Sequence, residues 1–290
     1  MRDSGGMAGM TLLLLLPLCC GGVMVRSGLQ EQPAIHAAVT PVDLGLPHIN
    51  WRGLTVWESA AWLGGSEGFL AQRGLEGGGM HAAVESAAEY EIRDLAVLGP
   101  GELVLLAAGP RATILRYKPD WKNFTVAYKN EDPASFLNSF DFWDDKRGVA
   151  FGDSLDGKFL ILLTDDGGHS WSEAGREGIP ASREGEVGFA ASGTSLVAGP
   201  GGRAWLGLGG GPAGSPARVF RSQDWGITWQ AVDTTVAAGR GSAGIFSLAV
   251  AGDTVVAVGG DYLAPEQVLL SPHWITVYVI VTGWTCSECE

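Results

Sequence analysis

The sequence predicts an all-β fold, a β-propeller built from four-stranded blades. Three observations carry this reading. The octapeptide Thr-Asp-Asp-Gly-Gly-His-Ser-Trp, Thr164 to Trp171, returns as Ser-Gln-Asp-Trp-Gly-Ile-Thr-Trp, Ser222 to Trp229, and both fit S/T-x-D-x-G-x-S/T-W. An apolar run ending in glycine recurs at Gly64, Gly109, Gly152, Gly207 and Gly259, with spacings of 43 to 55 residues. No amphipathic helix with a 3.6-residue apolar period competes with this reading.

Each unit opens on an apolar segment: Leu54–Trp57, Ile92–Val97, Phe140–Trp143, Phe189–Ser192 and Ile245–Val250. The glycine-ended run is the second strand: Ala61–Gly65, Val104–Gly109, Gly148–Gly152, Ala204–Gly207 and Val256–Gly260. A third β-rich run follows at Ala112–Arg116, Phe159–Thr164, Val219–Ser222 and Gln267–Ser271. The octapeptide is then a tight turn into a fourth strand such as Thr228–Val232. Short strands with turn signals at this period describe one propeller blade after another.

Five units fit between residues 34 and 271. They make either a small complete propeller or a truncated six- or seven-bladed one, and both stay open. The fifth unit stops where its octapeptide is due, because Ser271 is followed by Pro272-His273-Trp274. Residues 272–290 therefore read as an atypical tail, truncated or aberrant. Within it, Ile275 to Val281 reads as a stray strand, too short to span a bilayer.

The chain has 290 residues, 46% hydrophobic and 18% charged, so it can bury a core and disorder is not expected. A formal net charge of −13 repels phosphate backbones and argues against nucleic acid as a partner. Met10 to Leu18 form an apolar run, continued by Cys19, Cys20 and Gly21 to Val25. Residues 1–28 read as a signal peptide, so a secreted or other extracytoplasmic location (periplasm or lumen) is expected. An uncleaved signal anchor is the alternative, and membrane contact is expected only through it or through a membrane-protein client. No cysteine lies between Cys20 and Cys286, so the main domain has no disulfide framework.

The octapeptide residues read as structural. Asp166 and Asp224 accept backbone N–H bonds within the turn, and Gly168 and Gly226 permit φ > 0. The hydroxyls of Thr164, Ser170, Ser222 and Thr228 close the loop, and Trp171 and Trp229 bury an apolar face between blades.

The ligand-facing place of such a fold is the channel mouth, where several blades converge. Arg52, Arg93, Asp94, Asp141 and Glu186 recur near unit starts, while Asp153, Asp261 and Tyr262 follow strand-ending glycines. These eight residues form the candidate binding set. A sialidase-like glycosidase, or another hydrolase, is the enzymatic alternative. It would need an arginine cluster, a Tyr–Glu pair and an acid/base Asp. The first unit has no Arg-Ile-Pro signature and no third arginine lies at an equivalent place, so the reading leans away from an enzyme and assigns no catalytic residue. A poorly functional fragment is a third reading, since missing blades leave an open sheet edge.

No cofactor or metal is assigned. Asp153 with Asp156, and Asp141, Asp144 and Asp145, match no calcium-loop spacing. Cys286-x-x-Cys289 is a lone pair, and the glycines from Gly207 to Gly211 open no helix. Asn123-Phe-Thr125 is a glycosylation sequon, usable on a secretory route.

One stretch carries a family resemblance. Ser139-Phe140-Asp141-Phe142-Trp143-Asp144, Gly148-Val149-Ala150-Phe151-Gly152-Asp153, Asp156-Gly157-Lys158-Phe159 and the first octapeptide resemble the exported BNR/Asp-box propellers related to the photosystem II stability/assembly factor. Gly185-Glu186, Phe189 to Thr194, Ile245-Phe246-Ser247 and Gly259-Gly260-Asp261-Tyr262 support it. The resemblance covers residues 50 to 271. It implies a propeller similar to those of sialidases and the vacuolar-sorting receptor, export, and protein binding as an assembly scaffold. The chain departs from the pattern in its missing final blades and in the degenerate second turn, Lys118 to Phe124.

Overall fold

The structure, a computed structural model, describes residues 46, 48–76, 79–83, 89–108, 111–117, 124–190, 193–252, 254–264 and 276–281. The first blade is β1 (Trp51–Trp57), β2 (Ala60–Gly65), β3 (Phe69–Gly74) and β4 (Gly79–Ala83). The second is β5 (Glu91–Gly99), β6 (Glu102–Ala108), β7 (Thr113–Tyr117) and β8 (Phe124–Lys129). The third is β9 (Leu137–Phe142), β10 (Gly148–Leu155), β11 (Lys158–Thr164) and the short β12 (Ser172–Glu173). After β13 (Glu186–Val187) the fourth blade holds β14 (Leu196–Gly199), β15 (Arg203–Gly207), β17 (Pro216–Ser222) and β18 (Gln230–Ala237). The fifth holds β19 (Ala243–Ala251), β20 (Thr254–Asp261) and β21 (Thr276–Val281), extended on the other edge of β19 by β16 (Gly209–Gly210) and β13. All strand pairs are antiparallel.

Alternation explains why the middle strands read as unbroken apolar runs. On β6, Leu103, Leu105 and Ala107 pack toward Trp62 and Leu70 of the first blade. The intervening Val104 and Leu106 pack toward Phe140, Ala150 and Leu160 of the third. A sheet buried on both faces needs apolar residues at both phases of its period-2 pattern. Phe151, Phe159 and Ile161 then meet Leu206, Phe220 and Trp229 between blades three and four. Trp205 and Val219 meet Ile245, Leu248 and Val255 between blades four and five. The first blade differs: on β1, Leu54 and Val56 are 62% and 57% exposed.

The repeated glycine has a steric cause. A Cβ on Gly64 would lie 2.4 Å from Cγ2 of Ile92, and one on Gly207 would lie 2.4 Å from Cγ2 of Ile245. On Gly152 and Gly259 it would meet backbone, 2.1 Å from the Phe136 oxygen and 2.0 Å from the Gly244 oxygen. The bare end of the second strand lets a first strand close in, that of the next blade at Gly64 and Gly207. Gly109 lies outside the described residues.

Both octapeptides fold into the same hydrogen-bond network. Asp166 Oδ1 accepts from the Thr164 hydroxyl (2.8 Å) and the Ser170 amide (3.0 Å), and its Oδ2 accepts from the Ser170 hydroxyl (2.6 Å). Thr164 Oγ1 accepts from the Gly168 amide at 2.9 Å. Asp224 repeats this with Ser222 (2.9 Å) and with the Thr228 amide (2.9 Å) and hydroxyl (2.6 Å), and Ser222 Oγ accepts from Gly226 N at 3.0 Å. Gly168 and Gly226 take φ of +75° and +79°. Trp171 packs among residues of blades two and three, and Trp229 among those of blades three and four. The Trp229 amide also donates to Gly178 O of blade three at 2.8 Å.

These bonds set a pH dependence. Burial pushes the Asp166 carboxyl up, but the Ser170 and Thr164 bonds outweigh it and hold it at about 2; Asp224 is lowered by the same balance. A lowered folded value stabilises above the ordinary carboxylate range near 4 and is lost as pH falls through the folded value. Asp166→Ala is expected to cost about 1–2 kcal/mol at pH 7, since both carboxylates stand near solvent. Asp166→Asn should flatten the acid limb of a Tm-against-pH curve between about pH 4 and 2. Urea unfolding and thermal melts across that range check both.

Two assignments from the sequence move. Phe189 and Ala190 lie outside any strand, and the fourth blade opens instead at Leu196. Phe189 sets its ring edge-on to Phe246 at 4.8 Å, so its apolar character serves a ring contact rather than a strand. In the fifth blade Gln267–Ser271 lies outside the described residues, and β21, from the segment read as a tail, pairs with β20 from Thr254 opposite Val281 to Gly259 opposite Thr276. The signal segment, Asn123 and the Cys286–Cys289 pair also lie outside the described residues.

Candidate functional site

The antiparallel register brings the start of each first strand beside the end of its second strand. Trp51 faces Gly65, Glu91 faces Ala108, and Leu137 faces Gly152. At this end, blades one and two are joined by the bond from Gly68 N to Tyr90 O, 2.9 Å. A cleft of about 370 Å³ opens here, lined by Glu67, Glu89, Tyr90, Glu91, Arg93, Ala108 and Phe136. It draws on blades one and two and on the approach to β9 of blade three.

Two of the candidate residues meet at this cleft. Glu91 accepts from Nε of Arg52 and, at 3.0 Å, from Nη2 of Arg93. The Arg93 guanidinium sits over the Phe136 ring, 5.4 Å from its centroid. Residues i and i+2 of a strand share a face, which puts Glu91 and Arg93 together on β5. The sequence signal for Glu91 was therefore present; Phe136 and Glu67 gave none. Glu67 sits in a short 3-10 turn with φ of +57°. Burial and the neighbouring Glu89 carboxylate push the Tyr90 hydroxyl up.

Asp94 and Asp141 lie deeper, along the innermost strands. Asp94 Oδ1 accepts from its neighbour Leu95 N (2.9 Å), and Oδ2 accepts from Phe140 N of the next blade (3.2 Å). Asp141 repeats the arrangement, with Oδ1 on Phe142 N and Oδ2 on Ala198 N of blade four, each 2.8 Å. Each carboxylate thus ties its inner strand to the next one. Burial raises both groups, Asp94 well above the ordinary range.

The remaining candidates are separate. Asp153 accepts from Asn138 Nδ2 at 2.9 Å, and burial raises it. Glu186 is buried and paired with buried Arg218, whose Nε donates to Oε1 at 2.7 Å and whose Nη2 donates to Oε2. Asp261 is held down chiefly by a hydrogen bond from the Ser242 hydroxyl and also pairs with Arg240 at 3.3 Å. Tyr262 is 60% exposed, with its ring 6.4 Å from that of Phe246. Among the described residues no group of three or more His, Cys, Asp or Glu side chains could hold a metal ion. Asp144 spends its oxygens within its own turn, on Lys146 N, Arg147 N and Arg147 Nε.

No known protein family matches the chain, and no curated protein does. Among solved structures, the chain is similar to YCF48 bound to D1 peptide, at 18% identity and a TM-score of 0.52, over 76% of this chain and 64% of that one. It is similar to the Pan2 WD40 domain of Neurospora crassa at 12% identity and a TM-score of 0.51, over 83% of this chain and 64% of that one. In both comparisons this chain spans less than two thirds of the structure it matches. At these identities the likeness concerns the fold, and together with the five successive antiparallel sheets among the described residues it gives this chain the fold of a partial β-propeller.

Proposed function

We propose that this chain is a protein-binding scaffold, in the manner of a photosystem II assembly factor, acting outside the cytoplasm after export by residues 1–28. The client segment lies at the end of the propeller where the first strands begin, in the cleft bordered by Glu67, Glu91, Arg93 and Phe136. The observation that carries this reading is the cleft itself, which is shallow and open to solvent, draws on consecutive blades and offers both charge signs beside an aromatic ring. Further support comes from YCF48, a structure of similar fold that was solved bound to a D1 peptide. The Asp-box turns act as blade staples in this reading.

Selection of extended peptides from a displayed library, with a D1 peptide as a first probe, tests it. Saturable binding is expected, weakened at least about tenfold by Arg93→Ala, since a charge-assisted contact contributes more than about 1.4 kcal/mol. A library that yields no binder, or binders indifferent to Arg93→Ala, contradicts the site. The scaffold reading also expects no turnover of sialosides or other glycosides. Turnover that Glu186→Gln or Asp141→Asn abolishes would favour the hydrolase alternative.

A further inference from the structure

The innermost strands of blades two, three and four meet at a cluster that the peptide cleft does not use. Asp94 is 7% exposed and forms no ion pair among the described residues. Its donors are the amides of Leu95 and Phe140, with the Ser139 hydroxyl farther away at 3.5 Å. That hydroxyl has one proton, and Gly193 O receives it at 2.5 Å. Gly193, at φ of +67°, leaves room for the carboxylate, since a Cβ there would lie 2.5 Å from Asp94 Oδ1.

The charged groups on the packed elements give no relief. On β9 the only one is Asp141, which adds repulsion. On β1 it is Arg52, which is committed to Glu91, and on the 3-10 turn Ser66–Gly68 it is Glu67, another carboxylate. On β6 it is Glu102, paired with Arg116. On β5 itself, Glu91 and Arg93 pair with each other. Gly193, Thr194 and Ser195 carry no charge. An ionised carboxylate buried with neutral donors alone is costly.

We propose that Asp94 is a proton-gated latch on this inner seam. With a proton on Oδ2, a directed chain forms: Asp94 O–H donates to Ser139 Oγ, and Ser139 O–H donates to Gly193 O. It links the inner strands of blades two and three to the loop that enters blade four. When the proton leaves to solvent, Ser139 can serve only one of its two acceptors, and the seam loosens. The folded value is raised, so the sign is set: the stabilisation is full below the ordinary Asp value near 4 and is lost as pH rises through the folded value. This is opposite to the Asp-box carboxylates.

Amide exchange of the whole protein, followed in peptides covering 137–142 and 193–199 between pH 5 and 8.5 and corrected for the intrinsic pH dependence of exchange, tests the latch. The expected result is protection that falls as pH rises in the wild type. In Asp94→Asn, whose amide N–H replaces the proton, protection should stay high throughout. Ser139→Ala should lower protection at pH 5 and remove its pH dependence. Infrared difference spectra between pH 5 and 8.5 should contain the C=O band of a protonated carboxyl that disappears with rising pH in the wild type and is missing from Asp94→Asn, which separates it from the raised Asp141 and Asp153 carboxyls. Protection that is constant or rises with pH in the wild type, or the absence of that band, overturns the proposal.

Discussion

Arg218→Met should lower the unfolding free energy by about 3–5 kcal/mol, because it leaves the Glu186 carboxylate buried without its partner. The pair is closed to solvent, with side chains 9% and 4% exposed. Further bonds hold it: Glu186 Oε2 also accepts from Arg183 N at 3.0 Å, and Arg218 Nη2 donates to Ala181 O at 3.0 Å. The Arg218 guanidinium lies 4.9 Å from the Phe220 ring centroid. The bridge holds the segment entering blade four, at β13, against β17. Glu186→Gln should cost somewhat less, since the amide keeps an acceptor for Arg183 N. The double variant should recover most of the loss, because no isolated charge remains. Urea unfolding of the two singles and the double checks this. Additive losses in the double would mean that the two residues act independently.

Gly152→Ala is expected to cost about 3 kcal/mol, the upper part of the overpacking range. For a domain of this size that corresponds to a fall in Tm of roughly 6–12 °C. The added methyl would stand 2.1 Å from the Phe136 carbonyl oxygen, and that oxygen also accepts from Asp153 N at 3.0 Å. A backbone atom cannot rotate away as a side chain can, so β10 or the approach to β9 must shift. Phe136 is the ring under Arg93, and the same substitution should therefore weaken peptide binding at the cleft. Calorimetry, with a peptide titration below the melting range, reads both effects. By contrast, Gly157→Ala adds a methyl with nothing within 4 Å, and it should cost only the strain of φ +78°.

The repeat was legible because its signals are local. The octapeptide folds through bonds inside eight residues, and the strand-ending glycines recur because each blade repeats one close approach. The first strand of blade four was misplaced because Phe189 is apolar for a different reason, its ring contact with Phe246. The segment 196–199 is short and glycine-ended, which mutes its own strand pattern. Arg218 and Arg116 were missed, although each is a charge buried within its strand. A charge at an inward phase was the signal for a buried partner, but Glu186 and the Gly167 carbonyl lie far away in sequence. Asp94 directly follows the cleft residue Arg93 on β5, yet its carboxylate accepts from Phe140 N of the next inner strand instead of lining the cleft, and Asp141 does the same with Ala198 N. Unit position in the sequence does not separate these two roles.

In the proposed function a client segment sits at the end where the first strands begin, and the octapeptide turns at the other end serve the fold alone. A photo-crosslinking residue placed at Phe136, and separately at the exposed Ile227 of the second octapeptide, tests this with a library-selected peptide. The prediction is a crosslink from position 136, suppressed by Arg93→Ala, and none from position 227. A crosslink from position 227 and none from 136 would contradict it.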